Sequence, residues 1–260
     1  MALTYGRYLH LDELLGAQEP LSEGPEHDEM LFIVVHQVYE LWFKQMLHEA
    51  RFLQQELERG NTHHALATLK RMLTILKTLV SQVDVLETMT PMSFGAFRTR
   101  LQTASGFQSV QFRELEFVLG HKRDTVLSHY PEDSAERALL ERTLAAHTVW
   151  DSFLRFLDGQ GFAMPVEVLG RDVREAISAS AAVQDVLLRV YRQDALMSQL
   201  CERLVDLDEG LQEWRYRHVK MVERTIGTKI GSGGSSGALY LQSTLFRPLF
   251  PDLWEIRARL

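Results

Sequence analysis

The sequence predicts an all-α helical bundle in a single domain spanning residues 1–260. Three observations predict it. Apolar side chains recur at helical spacing through most of the chain. No run shows the two-residue alternation of a half-buried strand. Glycine and proline fall mainly between the periodic stretches, where they act as boundaries.

Residues 27–59 contain neither glycine nor proline, with Pro25 before them and Gly60-Asn61 after. A second helix is expected from Thr62 to Met89, striped by Leu66, Leu69, Leu73, Leu76, Val80 and Val83. Thr90-Pro91 reads as an N-cap followed by a first helical position, opening a short helix to Leu101. Ser105-Gly106 marks a loop, and a helix from Gln108 to Leu119 closes at Gly120. Residues 121–135 read as connection, followed by helices over 135–158, 171–192 and 194–226. The run from Gly231 to Gly237 has the composition of a loop. A last helical stretch is expected from Ala238 to Leu245, and Pro248 and Pro251 break the chain beyond it.

Lys and Arg total 28 and Asp and Glu 35, for a net charge of −7. That balance argues against nucleic acid as the main partner. The longest apolar run, Met30 to Val35, is far short of the ~18 residues that suggest a membrane span. The N-terminus lacks a basic segment followed by an apolar one, so no signal peptide is expected. Cys201 is the only cysteine, which excludes an intrachain disulfide and a thiolate metal cluster. A cytoplasmic protein with no membrane partner is the expectation.

Three helix faces carry residues that invite chemistry. On the helix over 194–226, Leu200, Leu204, Leu207, Leu211, Trp214, Met221 and Val222 share a face, and His218 lies within it. Arg215, Arg217, Lys220, Glu223 and Arg224 fall off it. A histidine in such a stripe must satisfy two ring nitrogens. Either it bonds a backbone carbonyl in the core, or it is a metal or haem ligand. On the helix from His27, the residues Phe32, His36, Tyr39 and Phe43 occupy a sector of about 60° at 100° per residue. His36 borders a polar stripe of Gln37, Glu40 and Lys44. It reads either as a structural histidine or as a polar contact in an aromatic-lined pocket. Phe94, Arg98 and Leu101 stand at i, i+4 and i+7, where the arginine either reaches solvent or clamps a carboxylate.

Other chemistries are absent. The glycine loop at 231–237 has neither the Gly-Lys-Ser/Thr ending of a P-loop nor the third glycine of a dinucleotide fingerprint. No histidine has a Glu three residues before it, as di-iron carboxylate bundles require. Neither His-Glu-x-x-His nor Gly-x-Ser-x-Gly occurs.

Taken together, several ordered segments resemble the tryptophan 2,3-dioxygenase family. They are Tyr5-Gly-Arg-Tyr8-Leu9-His-Leu-Asp-Glu-Leu-Leu15, His27-Asp-Glu-Met-Leu-Phe32-Ile-Val-Val-His36-Gln and Glu40-Leu-Trp-Phe-Lys44. Further on come Leu86-Glu-Thr-Met-Thr-Pro91, Ser105-Gly-Phe-Gln-Ser109, Trp214-Arg-Tyr-Arg-His218 and Gly231-Ser-Gly-Gly-Ser-Ser-Gly237. The resemblance runs from Tyr5 to about Leu253.

The resemblance implies a haem b dioxygenase that cleaves the indole C2–C3 bond of L-tryptophan with O2, giving N-formyl-L-kynurenine. It implies that His218 is the axial haem ligand and that His36 hydrogen-bonds the indole N–H. It implies likewise that Arg98 holds the substrate carboxylate, that Phe32 and Phe94 line the pocket, and that Gly106 lies in the loop over the distal side. Ser232 stands where the family usually has Thr, near the substrate ammonium, and keeps the hydroxyl without the methyl. Phe94 stands where some members have a Tyr, and lacks its hydroxyl donor. Residues 1–25 correspond to a segment that enters the neighbouring subunit's pocket through Tyr5, Tyr8 and Leu9, in a homo-oligomer expected to be a tetramer. The alternative reaction is haem monooxygenation of tryptophan or a methylated analogue to an oxindole-type product. A haem carrier or sensor is a third reading, against which a carboxylate clamp argues.

Overall fold

The computed structural model of the chain describes residues 2–24, 26–231 and 237–260, the side chains of residues 239 and 240 excepted. Among these residues every regular element is helical. In chain order the α-helices are α1 (Tyr5–Leu9), α2 (Leu11–Leu15), α3 (His27–Glu58), α4 (Thr62–Leu86), α5 (Pro91–Arg98), α6 (Val110–Leu119) and α7 (Ala135–Leu144). They continue with α8 (Val149–Gly159), α9 (Val166–Leu169), α10 (Ala181–Gln193), α11 (Ala195–Ile226), α12 (Ala238–Gln242) and α13 (Pro251–Glu255).

Several helices, though not α3, start where a side chain satisfies free backbone donors. Asn61 caps α4 by accepting from His64 N. Thr90 caps α5 by accepting from Ser93 N at 3.0 Å, with Pro91 following. Asp194 caps α11 by accepting from Leu196 N and Met197 N. Between α3 and α4 the chain reverses at Gly60, whose φ of +73° favours glycine.

The core forms where α4 is sandwiched between α3 and α11. Met46 and Leu53 of α3, Leu69 and Met72 of α4, and Leu200 and Leu207 of α11 are fully enclosed. Because α4 has partners on both sides, its buried face is wider than the predicted stripe and takes in Met72, Ile75 and Leu79. At Gly210 of α11 a Cβ would lie 3.2 Å from Leu73 Cδ1, so the missing side chain permits the close approach to α4. Helices α6 and α8 pack on α3, and α10 packs on α11 and α13.

The helix expected over 135–158 is two helices, α7 and α8. Thr148 and Asp151 form a reciprocal cap that starts α8 afresh: Asp151 N donates to Thr148 Oγ1 at 3.1 Å and Thr148 N to Asp151 Oδ2 at 2.7 Å. The buried Lys122 ammonium donates to the carbonyls of Leu144 and Ala146, satisfying acceptors freed by the break. The helix expected over 171–192 begins only at Ala181. Residues before it are held by tertiary partners: Arg171 binds Asp151 through two nitrogens, and Ser180 N donates to Asp252. Smaller differences fall at ends. Helix α4 stops at Leu86, α5 passes into a 3₁₀ turn at Thr99–Leu101, and 3₁₀ turns occupy Gly106–Gln108 and Asp124–His129. Helix α12 ends at Gln242 rather than Leu245.

Candidate functional site

One cavity gathers side chains that lie far apart in sequence. Helix α3 supplies Phe32 and His36, and α5 supplies Phe94 and Arg98, each pair one turn apart. The segment from Ser105 to Ser109 contributes Gly106. Helix α6 adds Phe112, Arg113 and Glu116, and α11 adds Trp214, Arg215 and His218. The space they enclose has a volume of about 270 Å3 and opens to solvent on one side.

The histidines differ in what their rings touch. His36 Nδ1 lies 2.7 Å from the Phe32 carbonyl oxygen. A carbonyl only accepts, so Nδ1 carries the proton and Nε2 keeps a free lone pair. The Phe32 ring lies 4.1 Å from the imidazole, centroid to centroid, and 5.7 Å from Phe94. Burial lowers the His36 pKa, opposed by the Phe32 carbonyl, so the ring is neutral at pH 7.

His218 has no hydrogen-bond partner among the described residues. It is not tucked against a main-chain oxygen. Its ring stacks on Trp214 with centroids 5.4 Å apart and planes 4° from parallel, and it retains accessible surface toward the cavity. Burial, together with His36 and Arg113 nearby, lowers its pKa to about 4. A neutral imidazole facing a void is the form that coordinates iron. Among the described residues, no group of three His, Cys, Asp or Glu could hold a bare metal ion. A single unpartnered imidazole is thus a donor set for iron that arrives inside a macrocycle, and the residues fit haem on that ground. No acceptor for the other His218 nitrogen is found among the described residues.

Arg98 lines the same cavity, and its Nη2 donates to the Ile230 carbonyl at 2.5 Å. The guanidinium thereby ties α5 to the chain following α11. Gly106 opens the 3₁₀ turn capped by Ser105. Tyr5, Tyr8 and Leu9 are not brought to this cavity. They stand on α1, 75%, 69% and 40% exposed. Ser232 lies outside the described residues.

One lining residue contradicts the expected polarity of its helix, and a second charged one is buried beside it. Arg215, expected off the apolar face of α11, is buried, and so is Arg113 of α6. Both donate to the buried carboxylate of Glu116, at 3.0 and 2.7 Å. Burial pushes the Glu116 carboxyl up, but Arg113, Arg215 and Arg123 outweigh it and hold it below the ordinary value. The sequence signal was only an Arg and a Glu three apart on a short helix, a spacing usual on solvated faces.

A family profile described as tryptophan 2,3-dioxygenase matches residues 1–152 and 166–260. A tryptophan 2,3-dioxygenase from Herpetosiphon aurantiacus is 61% identical over 260 residues, covering 100% of this chain and 99% of the relative. The protein of that name from Anaeromyxobacter dehalogenans is 62% identical over 259 residues, covering 100% and 97%. The one from Bordetella pertussis is 45% identical over 261 residues, covering 99% and 91%.

Proposed function

The chain belongs to the tryptophan 2,3-dioxygenase family, and from that premise we infer that it is a haem-dependent oxidoreductase that cleaves the indole C2–C3 bond of L-tryptophan with O2, giving N-formyl-L-kynurenine. Relatives named for dioxygenation at 61% and 62% identity favour this over monooxygenation to an oxindole. The observation that carries the site assignment is the unpartnered imidazole of His218, opening on the cavity shared with His36 and Arg98.

In this reading the group is haem b, and His218 would hold its iron. When bound, its iron supplies the O2 chemistry; the chain's own residues bind, orient and exclude water. His36, protonated at Nδ1 by its bond to Phe32, offers Nε2 as acceptor for the indole N–H. Phe32 and Phe94 give the indole an apolar surface. Arg98 exchanges the Ile230 carbonyl for the substrate carboxylate, a stronger charge-assisted partner. Two fixed ends set where the indole lies, which is how positioning lowers the barrier. Gly106 in the Ser105–Ser109 segment contributes to the enclosure that keeps water out, and the resemblance assigns Ser232 to the substrate ammonium.

The exposed tyrosines of α1 suit the completion of a neighbour's pocket by Tyr5, Tyr8 and Leu9 of residues 1–25. The working unit is then a homo-oligomer, taken here as a tetramer of single-domain chains, in the cytoplasm. No helix among the described residues is long and apolar enough to cross a membrane.

The test is to add L-tryptophan and O2 to the reduced, haem-loaded protein and weigh the product. Two oxygen atoms gained, both from O2, is the expected result. One gained would move the protein to monooxygenation. A His218→Ala variant with normal haem content and turnover would remove the axial assignment.

A further inference from the structure

The two histidines of the cavity are steadied in different ways. His36 is held by a hydrogen bond, Nδ1 to the Phe32 carbonyl at 2.7 Å. His218 has no such bond among the described residues, yet its plane is closely matched to a neighbour. It lies 4° from parallel to the Trp214 indole, with centroids 5.4 Å apart. The other ring pairs described within the cavity wall lie 33° to 87° from parallel.

That match needs a cause, because the torsion that turns an imidazole on its Cβ is broad. In an iron-bound histidine a hydrogen bond from the second ring nitrogen normally fixes it. Here a flat face is in the place of that bond. Trp214 stands four residues before His218 on α11, where side chains on one helix meet. Turning the imidazole out of the parallel arrangement brings its edge toward the indole. A stack of this kind sets the plane of the ring and engages neither of its nitrogens.

The indole is itself wedged. Trp214 is 7% exposed. The rings of Tyr39 and Phe43, both from α3, lie 6.2 and 6.0 Å away, and Phe112 of α6 lies 5.1 Å away. Phe43 meets the indole at 87°, edge to face. Tyr39 is anchored to α4, its hydroxyl donating to the Leu79 carbonyl at 2.8 Å. Rings from two other helices therefore hold the indole, and the indole holds the imidazole. The four-residue spacing supplies the contact; the backing rings supply the fixed angle.

We propose that Trp214 is a positioning residue for the axial ligand: backed by Tyr39, Phe43 and Phe112, it presets the plane of the His218 imidazole by stacking. The inference rests on the reading of His218 as the haem ligand. Its consequence is that both histidines are oriented from α3, His36 by the Phe32 carbonyl and His218 through Tyr39 and Phe43.

The test reads the iron–imidazole stretching band of the reduced, haem-loaded, full-length protein by resonance Raman scattering. One narrow band is expected in the wild type. In Trp214→Leu the band is expected to broaden or split, and haem to pass to a scavenging protein about two- to tenfold faster, the ordering cost of one freed side chain. Trp214→Phe keeps a flat face and is expected to restore most of the narrow band and the slow release. Urea unfolding of both variants separates this from lost packing, which lowers the midpoint and leaves the band where it was. A wild-type band in Trp214→Leu overturns the proposal, as does a band altered equally in the Leu and Phe variants. If Trp214→Leu fails to fold or to take up haem, Phe112→Leu answers in its place. Phe112 backs Trp214 and has no ring contact with His218 among the described residues, so a broadened band supports the relay and an unchanged one overturns it. Absence of any iron–imidazole band in the wild type, or its survival in His218→Ala, removes the ligand reading and the proposal with it; a wild-type band indifferent to Trp214 removes the proposal alone.

Discussion

Replacing Arg98 by Ala gives a prediction whose size can be worked out. In the free protein Arg98 Nη2 donates to the Ile230 carbonyl at 2.5 Å, a neutral acceptor on a residue 67% exposed. Such a bond contributes about 0.5–1.5 kcal/mol, and one to a charged carboxylate about 1.5–3 kcal/mol. Substrate binding exchanges the first for the second, so the net contribution to affinity is about 1–1.5 kcal/mol. The variant forfeits both bonds, and the exposed carbonyl simply returns to water. L-Tryptophan binding is therefore expected to weaken about five- to tenfold, not a thousandfold. Tryptamine, which lacks the carboxylate, is expected to be nearly unaffected. The assay is a titration of both compounds into reduced, haem-loaded protein without O2, because KM equals Kd only when chemistry is slow. If both compounds weaken by the same factor, or neither weakens, Arg98 is a structural tie between α5 and the Ile230 segment and the clamp reasoning is refuted.

Further outcomes are expected from the same geometry. His36→Ala is expected to slow turnover of L-tryptophan while leaving haem bound, and to shrink the wild-type preference for tryptophan over 1-methyltryptophan. Competitive rate measurements check this, and an unchanged preference would mean that Nε2 does not receive the indole N–H. Asp208→Ala removes the acceptor of Leu249 N, Phe250 N, Trp254 Nε1 and Gln212 Nε2. With two buried backbone donors orphaned, urea unfolding should show a loss of about 3–4 kcal/mol at constant m. The Asp151 pKa is lowered: burial opposes ionisation, but Arg171 and the Thr148 backbone and hydroxyl donors outweigh it. A carboxyl depressed in the folded state contributes stability above its unfolded pKa near 3.8, lost as pH falls through the folded value. Asp151→Asn should therefore flatten the acid limb of the stability-against-pH curve below about pH 4, and an identical limb in the variant would refute the assignment.

The periodicity of the chain was enough for α3, α4 and α11, because each carries several turns of apolar spacing between clear breakers. Prediction failed where helix competed with specific tertiary partners. The break at Thr148 looks like continuous helix in one dimension, since Ala145 and Ala146 are good helix formers. It is a cap because Asp151 is pinned by Arg171 and Lys122 collects the freed carbonyls. Residues 171–180 stay non-helical because Arg171 and Ser180 find partners on other elements.

By itself the sequence determined the helical class, the ends of the longest helices and, through ordered motifs, the family and the residues to watch. His36, Arg98 and His218 were legible because each is a polar group set in an apolar or aromatic helical pattern. Tertiary structure alone decided that these three face one cavity, that His36 is protonated on Nδ1, and that both ring nitrogens of His218 are left without a partner among the described residues. It alone buried Arg113 and Arg215 around Glu116 with donors to spare. The physical reason is that helical spacing reports which side of one helix avoids water, whereas ring tautomers, ion pairs and unmet donors depend on what another helix brings within hydrogen-bonding reach.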